Sequence, residues 1–198
     1  MNREAIQEII DVLRTIEANR FSMRSYAEVE THEFCNTPAC MAGWAVLINH
    51  KKQAYLARDS SVDAMLGKVK LRSVNINWDN EGRRLLGFIS INPILGTGGY
   101  DPRADELFYM DDIRNDAAKF KKFAIIALAA SGQQGEVRYD SIFLTEEART
   151  YTSPIEIFDL MPADLRRQAG INVLENLLAT EEVDWLGAVK KAYTGAKR

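Results

Sequence analysis

Two cysteines, Cys35 and Cys40, and two histidines, His32 and His50, are the chain's whole stock of thiol and imidazole, and they fall in one stretch, His32-x2-Cys35-x4-Cys40-x9-His50. Thr37-Pro38 reads as the N-cap and first residue of a helix, because proline lacks only an amide that has no intrahelical partner there. Cys40 is then the third helical residue, where free amides and the macrodipole favour a thiolate. With His32 as base, that thiol could serve as a nucleophile in hydrolysis or group transfer. The plainer reading of Cys40 is a small buried apolar residue.

The same residues also hold the inventory of a structural zinc site, in which the loop-to-helix turn would bring His32, Cys35 and Cys40 together. His50 lies roughly 15 Å further along the same helix at about 1.5 Å per residue, so it can join that set only if the helix breaks. A Cys35–Cys40 disulfide across the helix cap would close a small loop, transiently in a reducing compartment.

Other motifs carry less chemistry. Gly96-Thr97-Gly98-Gly99 lacks the Gly-Lys-Ser/Thr ending of a phosphate-binding loop, and a surface loop is expected there. Asp111-Asp112 and Glu146-Glu147 sit at expected helix starts, where the dipole favours carboxylates. The basic doublets Arg83-Arg84, Lys121-Lys122 and Arg166-Arg167 read as solvated helix faces; on one surface they could contact an anion. No His-Glu-x-x-His, Gly-x-Ser-x-Gly or paired Cys-x2-Cys motif occurs, and no cofactor is implied.

The elements that must position these residues are mostly helical. Ile6, Ile9, Ile10, Leu13 and Ile16 recur at three- and four-residue steps, which predicts an amphipathic helix over 2–19 capped by Asn2. A second helix is expected from Pro38 to about His50. Its Ala39, Ala42, Gly43 and Ala45 would admit a close neighbour while Trp44 and Leu47 fill the flanks. Further helices are expected over 53–66, from Asp79 or Asn80 to Leu86, over 102–110, over 112–130, from Pro162 to Ala179, and from Val183 onward. Strands are expected over 68–78 and 137–144, with 154–160 extended or weakly helical. No internal repeat or low-complexity linker interrupts the pattern.

The whole is 198 residues, 46% hydrophobic and 27% charged, enough for a sizeable core in one domain. The fold class expected is mainly α, a single compact helical domain with a few short β-strands or a hairpin. The net charge of −3 is spread along the chain, which argues against a nucleic-acid-binding polycation. The N-terminal residues carry charges at once and no long apolar run, so neither a secretory leader nor a membrane anchor is expected. Two cysteines in such a length suit a cytoplasmic, reducing compartment.

The block Cys35-Asn36-Thr37-Pro38-Ala39-Cys40-Met41-Ala42-Gly43-Trp44-Ala45 resembles a segment shared by a group of small bacterial and phage helical proteins with no established activity. That group also carries a Phe-x-Met segment, here Phe21-Ser22-Met23, and a Leu-Leu-Gly stretch, here Leu85-Leu86-Gly87-Phe88. A Leu-Phe pair and a closing Val-Asp-Trp follow, here Leu107-Phe108 and Val183-Asp184-Trp185. Asn36 stands where the group has glycine. The resemblance implies a helical fold in a bacterial host cell and makes Cys35, Thr37, Cys40 and Trp44 a shared, mainly structural segment. Together these features suggest a non-enzymatic binding protein, of the accessory, counter-defence type. Its partner would be a host protein or a small anionic ligand; a Cys40-dependent enzyme and a zinc-stabilised interaction domain are the alternatives.

Overall fold

Asn2 caps the first helix as its type and position suggest: its side-chain oxygen accepts from the Ala5 amide, and α1 runs Arg3–Thr15. In this computed structural model, which describes residues 1–23, 40–57, 78–91, 98–145 and 148–196, the architecture is mainly α with a few short strands. Ile6, Ile9, Ile10 and Leu13 are fully buried on one face of α1, as the spacing predicts. The helix ends earlier than expected; Ala18–Arg20 forms a separate 3-10 turn.

Helix α2 spans Met41–Ala57 and α3 Trp78–Leu85. They meet where Gly82 faces Ala42: a Cβ on Gly82 would stand 2.7 Å from the Ala42 Cβ. This is the close approach expected of the small residues in α2. The separate helix expected from Gln53 is partly absorbed into α2, and Trp78, expected in a strand, opens α3. The rest of the expected 68–78 strand and the Gly67 cap lie outside the described residues.

Strands β1 (Ile89–Ile91) and β2 (Gly98–Tyr100) form an antiparallel ribbon, with Ile89 opposite Tyr100. Gly98 and Gly99, expected in a loop, belong to this ribbon. Helix α4 (Arg103–Tyr109) leads through Met110, which is buried and left-handed (φ 58°), into the single turn α5 (Asp111–Arg114). The helix expected over 112–130 is therefore broken. Asp116 accepts from the amides of Ala118 and Lys119, starting α6 (Ala117–Ser131) afresh.

Strands β3 (Gly135–Val137), β4 (Ile142–Leu144) and β5 (Arg149–Tyr151) make an antiparallel sheet in that order. The stretch expected as one strand over 137–144 is a hairpin, with the Arg138 amide donating to the Ser141 carbonyl at 2.8 Å. Glu146 and Glu147 lie outside the described residues. Pro154–Phe158 forms the short helix α7, followed by α8 (Ala163–Thr180) and α9 (Trp185–Gly195). Asn172, buried on α8, donates to the Ala188 carbonyl on α9 at 3.0 Å and accepts from Gln168. The core joins these elements, from Ile6 through Phe21, Phe88, Phe123 and Phe158 to Trp185. Among the described residues no helix is long and apolar enough to cross a membrane.

Candidate functional site

Cys40 stands immediately before Met41, the first residue of α2, and its carbonyl accepts from the Trp44 amide at 2.9 Å. It thus sits at the helix entrance rather than two residues inside it. Its side chain is 5% exposed. Burial pushes the thiol up to about 11, outweighing the amides of Gly43 and Ala42 that pull the other way. Asp79 nearby pushes in the same direction as burial. The opening of the helix does favour the thiolate, as the sequence suggests, but loss of water dominates. At pH 8 about one thiol in a thousand would be ionised. Brief iodoacetamide treatment of the native protein at pH 8 is therefore expected to leave Cys40 unmodified in peptide mapping, and rapid alkylation there would contradict this environment.

His32, Cys35, Thr37 and Pro38 lie outside the described residues, as does the side chain of His50, and with them the expected zinc set and disulfide. Among the described residues no group of three His, Cys, Asp or Glu is placed to hold a metal. Trp44 belongs to the core, with the Arg20 guanidinium 5.5 Å from its ring centre.

The basic doublets do not form one surface. Arg83 is 5% exposed and donates to Asp79 (2.9 Å) and to Asp105 (2.6 Å). The rings of Tyr100, Phe108 and Tyr109 surround its guanidinium at 5.8–6.0 Å. Burial opposes the charge, but the two carboxylates outweigh it and hold the guanidinium above its ordinary pKa. Arg84 is paired with Glu81 on its own helix. Arg166 pairs with Asp159 at 2.8 Å, and Arg167 donates to the Ile16 carbonyl. Three of the doublet arginines thus hold elements together. Asp79 at i−4 from Arg83 is a signal the sequence offers; Asp105 comes from another helix.

Lys121 and Lys122 differ. Both are exposed on α6 and neither is in a salt bridge among the described residues. Helix α6 contains no acidic residue. Its outer face also presents Ala118, Ala129 and Ile125, the last 51% exposed.

At the start of the same helix, Arg114, Asn115, Ala117 and Phe120 line an open hollow of about 290 Å³ with Tyr139, Asp140, Thr152 and Pro154. Tyr139, on the β3–β4 turn, is 79% exposed. Lys121 follows Ala117 by one helical turn, so hollow and helix face adjoin. The alternating pattern of the strands gives no sign of this hollow, because its walls come from the β3–β4 turn, the break before α6, and Thr152 and Pro154 after β5.

A second concentration of charge lies at the start of α9. Asp112, from α5, accepts from the Trp185 amide at 3.2 Å, so it caps another helix rather than serving only the start of its own. Burial pushes its carboxyl up to about 6, against the pull of that amide and of Lys119; Glu106 and Asp184 add to the rise. Trp185 is fully buried and its indole N–H donates to the Glu106 carbonyl at 3.0 Å.

No protein-family model, curated protein or solved structure matches the chain.

Proposed function

We propose that the protein is a non-enzymatic binding protein of the accessory, counter-defence type, and that it engages an acidic surface of a host protein through the outer face of α6. The observation that carries this reading is the surplus of positive charge on that face, which Asp116 at the helix N-cap offsets only from its end. Several exposed cations elsewhere are matched: Arg14 with Asp11 and Glu175, Lys191 with Glu175, Arg3 with Glu181. On α6 two lysines flank a half-exposed isoleucine and two alanines with no carboxylate in the helix. Such a surface suits an apolar contact rimmed by charge pairing. A second copy of this chain is disfavoured as the occupant, because a two-fold contact on this face would set lysine against lysine.

The double reversal Lys121→Glu/Lys122→Glu tests the reading. Both residues are exposed, so thermal stability is expected to stay near that of the native protein. Binding to the host protein retained by the wild type, measured by titration, should fall about ten- to a hundredfold, and wild-type binding should weaken with added salt. Equal affinity of the folded double variant, or catalytic turnover by the purified protein, would overturn the reading.

The hollow beside α6 favours a second reading, a small anionic ligand held by Arg114 with Asn115, Thr152 and the Tyr139 ring. Arg114 also pairs with Asp111, and the Asp140 carboxylate in the same wall is set against an anion. Its volume is at the lower edge of small-molecule sites. Native mass spectrometry of the protein from its producing cells, against a denatured control, separates the two: a retained mass of a few hundred daltons, lost in Arg114→Ala, favours the ligand.

A further inference from the structure

We infer that Asp112 is a proton-operated clasp on the C-terminal helix, holding α9 more firmly when its carboxyl is protonated than when it is ionised. The inference starts from placement. Asp112 reaches from the single turn α5 to the N-terminus of α9, 73 residues away in sequence, and one of its oxygens accepts from the Trp185 amide. Its other oxygen, Oδ1, is buried and has no hydrogen-bond partner among the described residues. An ionised carboxylate with one oxygen neither hydrated nor bonded is costly; a proton on that oxygen removes the charge and keeps Oδ2 as the acceptor for Trp185, a weaker bond whose loss in strength the relief of desolvation outweighs.

The surrounding charges press the same way. Glu106 faces the group from α4, and Asp184, which itself caps α9 through the Gly187 amide at 2.9 Å, faces it from the preceding turn. Lys119 on α6 is the opposing cation. On α5 itself, Asp111 is balanced by Arg114 at 3.5 Å. The α9 dipole favours an anion here, but Asp184 already occupies that role.

The sign follows from linkage. Asp112 lies near 6 in the folded chain against an ordinary value of 3.8, so between those values the native state binds the proton that the unfolded state has lost. Its contribution is fully present below about pH 4 and lost as pH rises through about 6. Asp101 and Asp116 are held below the ordinary range, chiefly by the Arg103 side chain and the Lys119 amide respectively; they contribute the opposite trend at lower pH. The clasp is therefore read as a difference between proteins.

Urea unfolding of wild type and Asp112→Asn from pH 4 to 7.5 gives that difference. The ratio of their folding constants is expected to change about sixtyfold across the window, in favour of the variant at the higher pH. Hydrogen exchange of α9 amides in the wild type, corrected for the intrinsic rise of exchange with pH, should quicken over the same range. Parallel stability profiles would overturn the clasp. NMR titration of the Asp112 side-chain carbonyl carbon in the native protein is a second test that does not depend on the variant folding: a midpoint near 6 is expected, and one near 4 overturns the inference.

Discussion

Arg83→Met is expected to destabilise the protein by about 3–5 kcal/mol. The arginine's charge is neutralised by Asp79, whose side chain is 23% exposed, and by Asp105, at 46%. Methionine can fill the space between Tyr100, Phe108 and Tyr109 but leaves Asp79 confined with neither oxygen bonded to a partner among the described residues. Asp105 can rehydrate; Asp79 largely cannot. Urea unfolding measures the loss, and a cycle with Asp79→Asn locates its origin. With the carboxylate charge removed, the second replacement should cost markedly less than it does alone. A loss under about 1 kcal/mol for Arg83→Met would mean that water reaches Asp79 freely.

Trp185→Ala should be comparably severe, about 3–5 kcal/mol. Its ring is fully buried, lies edge-on to Phe158 at 5.5 Å between centres, and joins α9 to the Glu106 carbonyl. Trp185→Phe separates the contributions: the aromatic contact persists, while the Glu106 carbonyl loses its donor, for an expected loss of about 1–2 kcal/mol. Both values come from equilibrium unfolding. Equal losses for the two variants would assign the whole effect to the indole hydrogen bond.

Local periodicity makes α1, α4 and α8 legible, because each buries a face whose spacing is written in consecutive residues. The break between α5 and α6 is hidden because the apolar period runs through it; Asn115 and Asp116 can continue a helix or end one, and here the Asp116 side chain caps α6 through the Ala118 and Lys119 amides while Ile113 and Phe120 are buried on either side. The β3–β4 hairpin reads as one strand since Arg138-Tyr139-Asp140-Ser141 contains neither glycine nor proline. Composition alone puts Gly98 and Gly99 in a loop, while pairing with β1 makes them a strand. At the candidate sites the limit is similar. Arg83 is in a doublet that resembles a solvated face, and the Asp79 half of its environment is visible at i−4. The Asp105 half, the aromatic rings around it and the Asp112–Trp185 contact are long-range facts. For Cys40 both the helix entrance and the burial expected of a small apolar residue are legible, while the neighbours that decide between their opposing effects, Asp79 among them, are not.

The first helix packs on α2 and also on α8, far along the chain. Arg14 pairs with Glu175, 161 residues on, and Arg167 donates to the Ile16 carbonyl across 151 residues. During synthesis at about 5–20 residues per second, α1 must therefore wait roughly 8–30 s before α8 has been made. For that interval α2 and the Leu85 and Leu86 carbonyls are already made as partners for α1, while the side of the helix that meets α8 stays open on the nascent chain. Completion of the fold is then gated by ribosome speed, and the α8-facing side of α1 is a foothold for a holdase chaperone in the meantime.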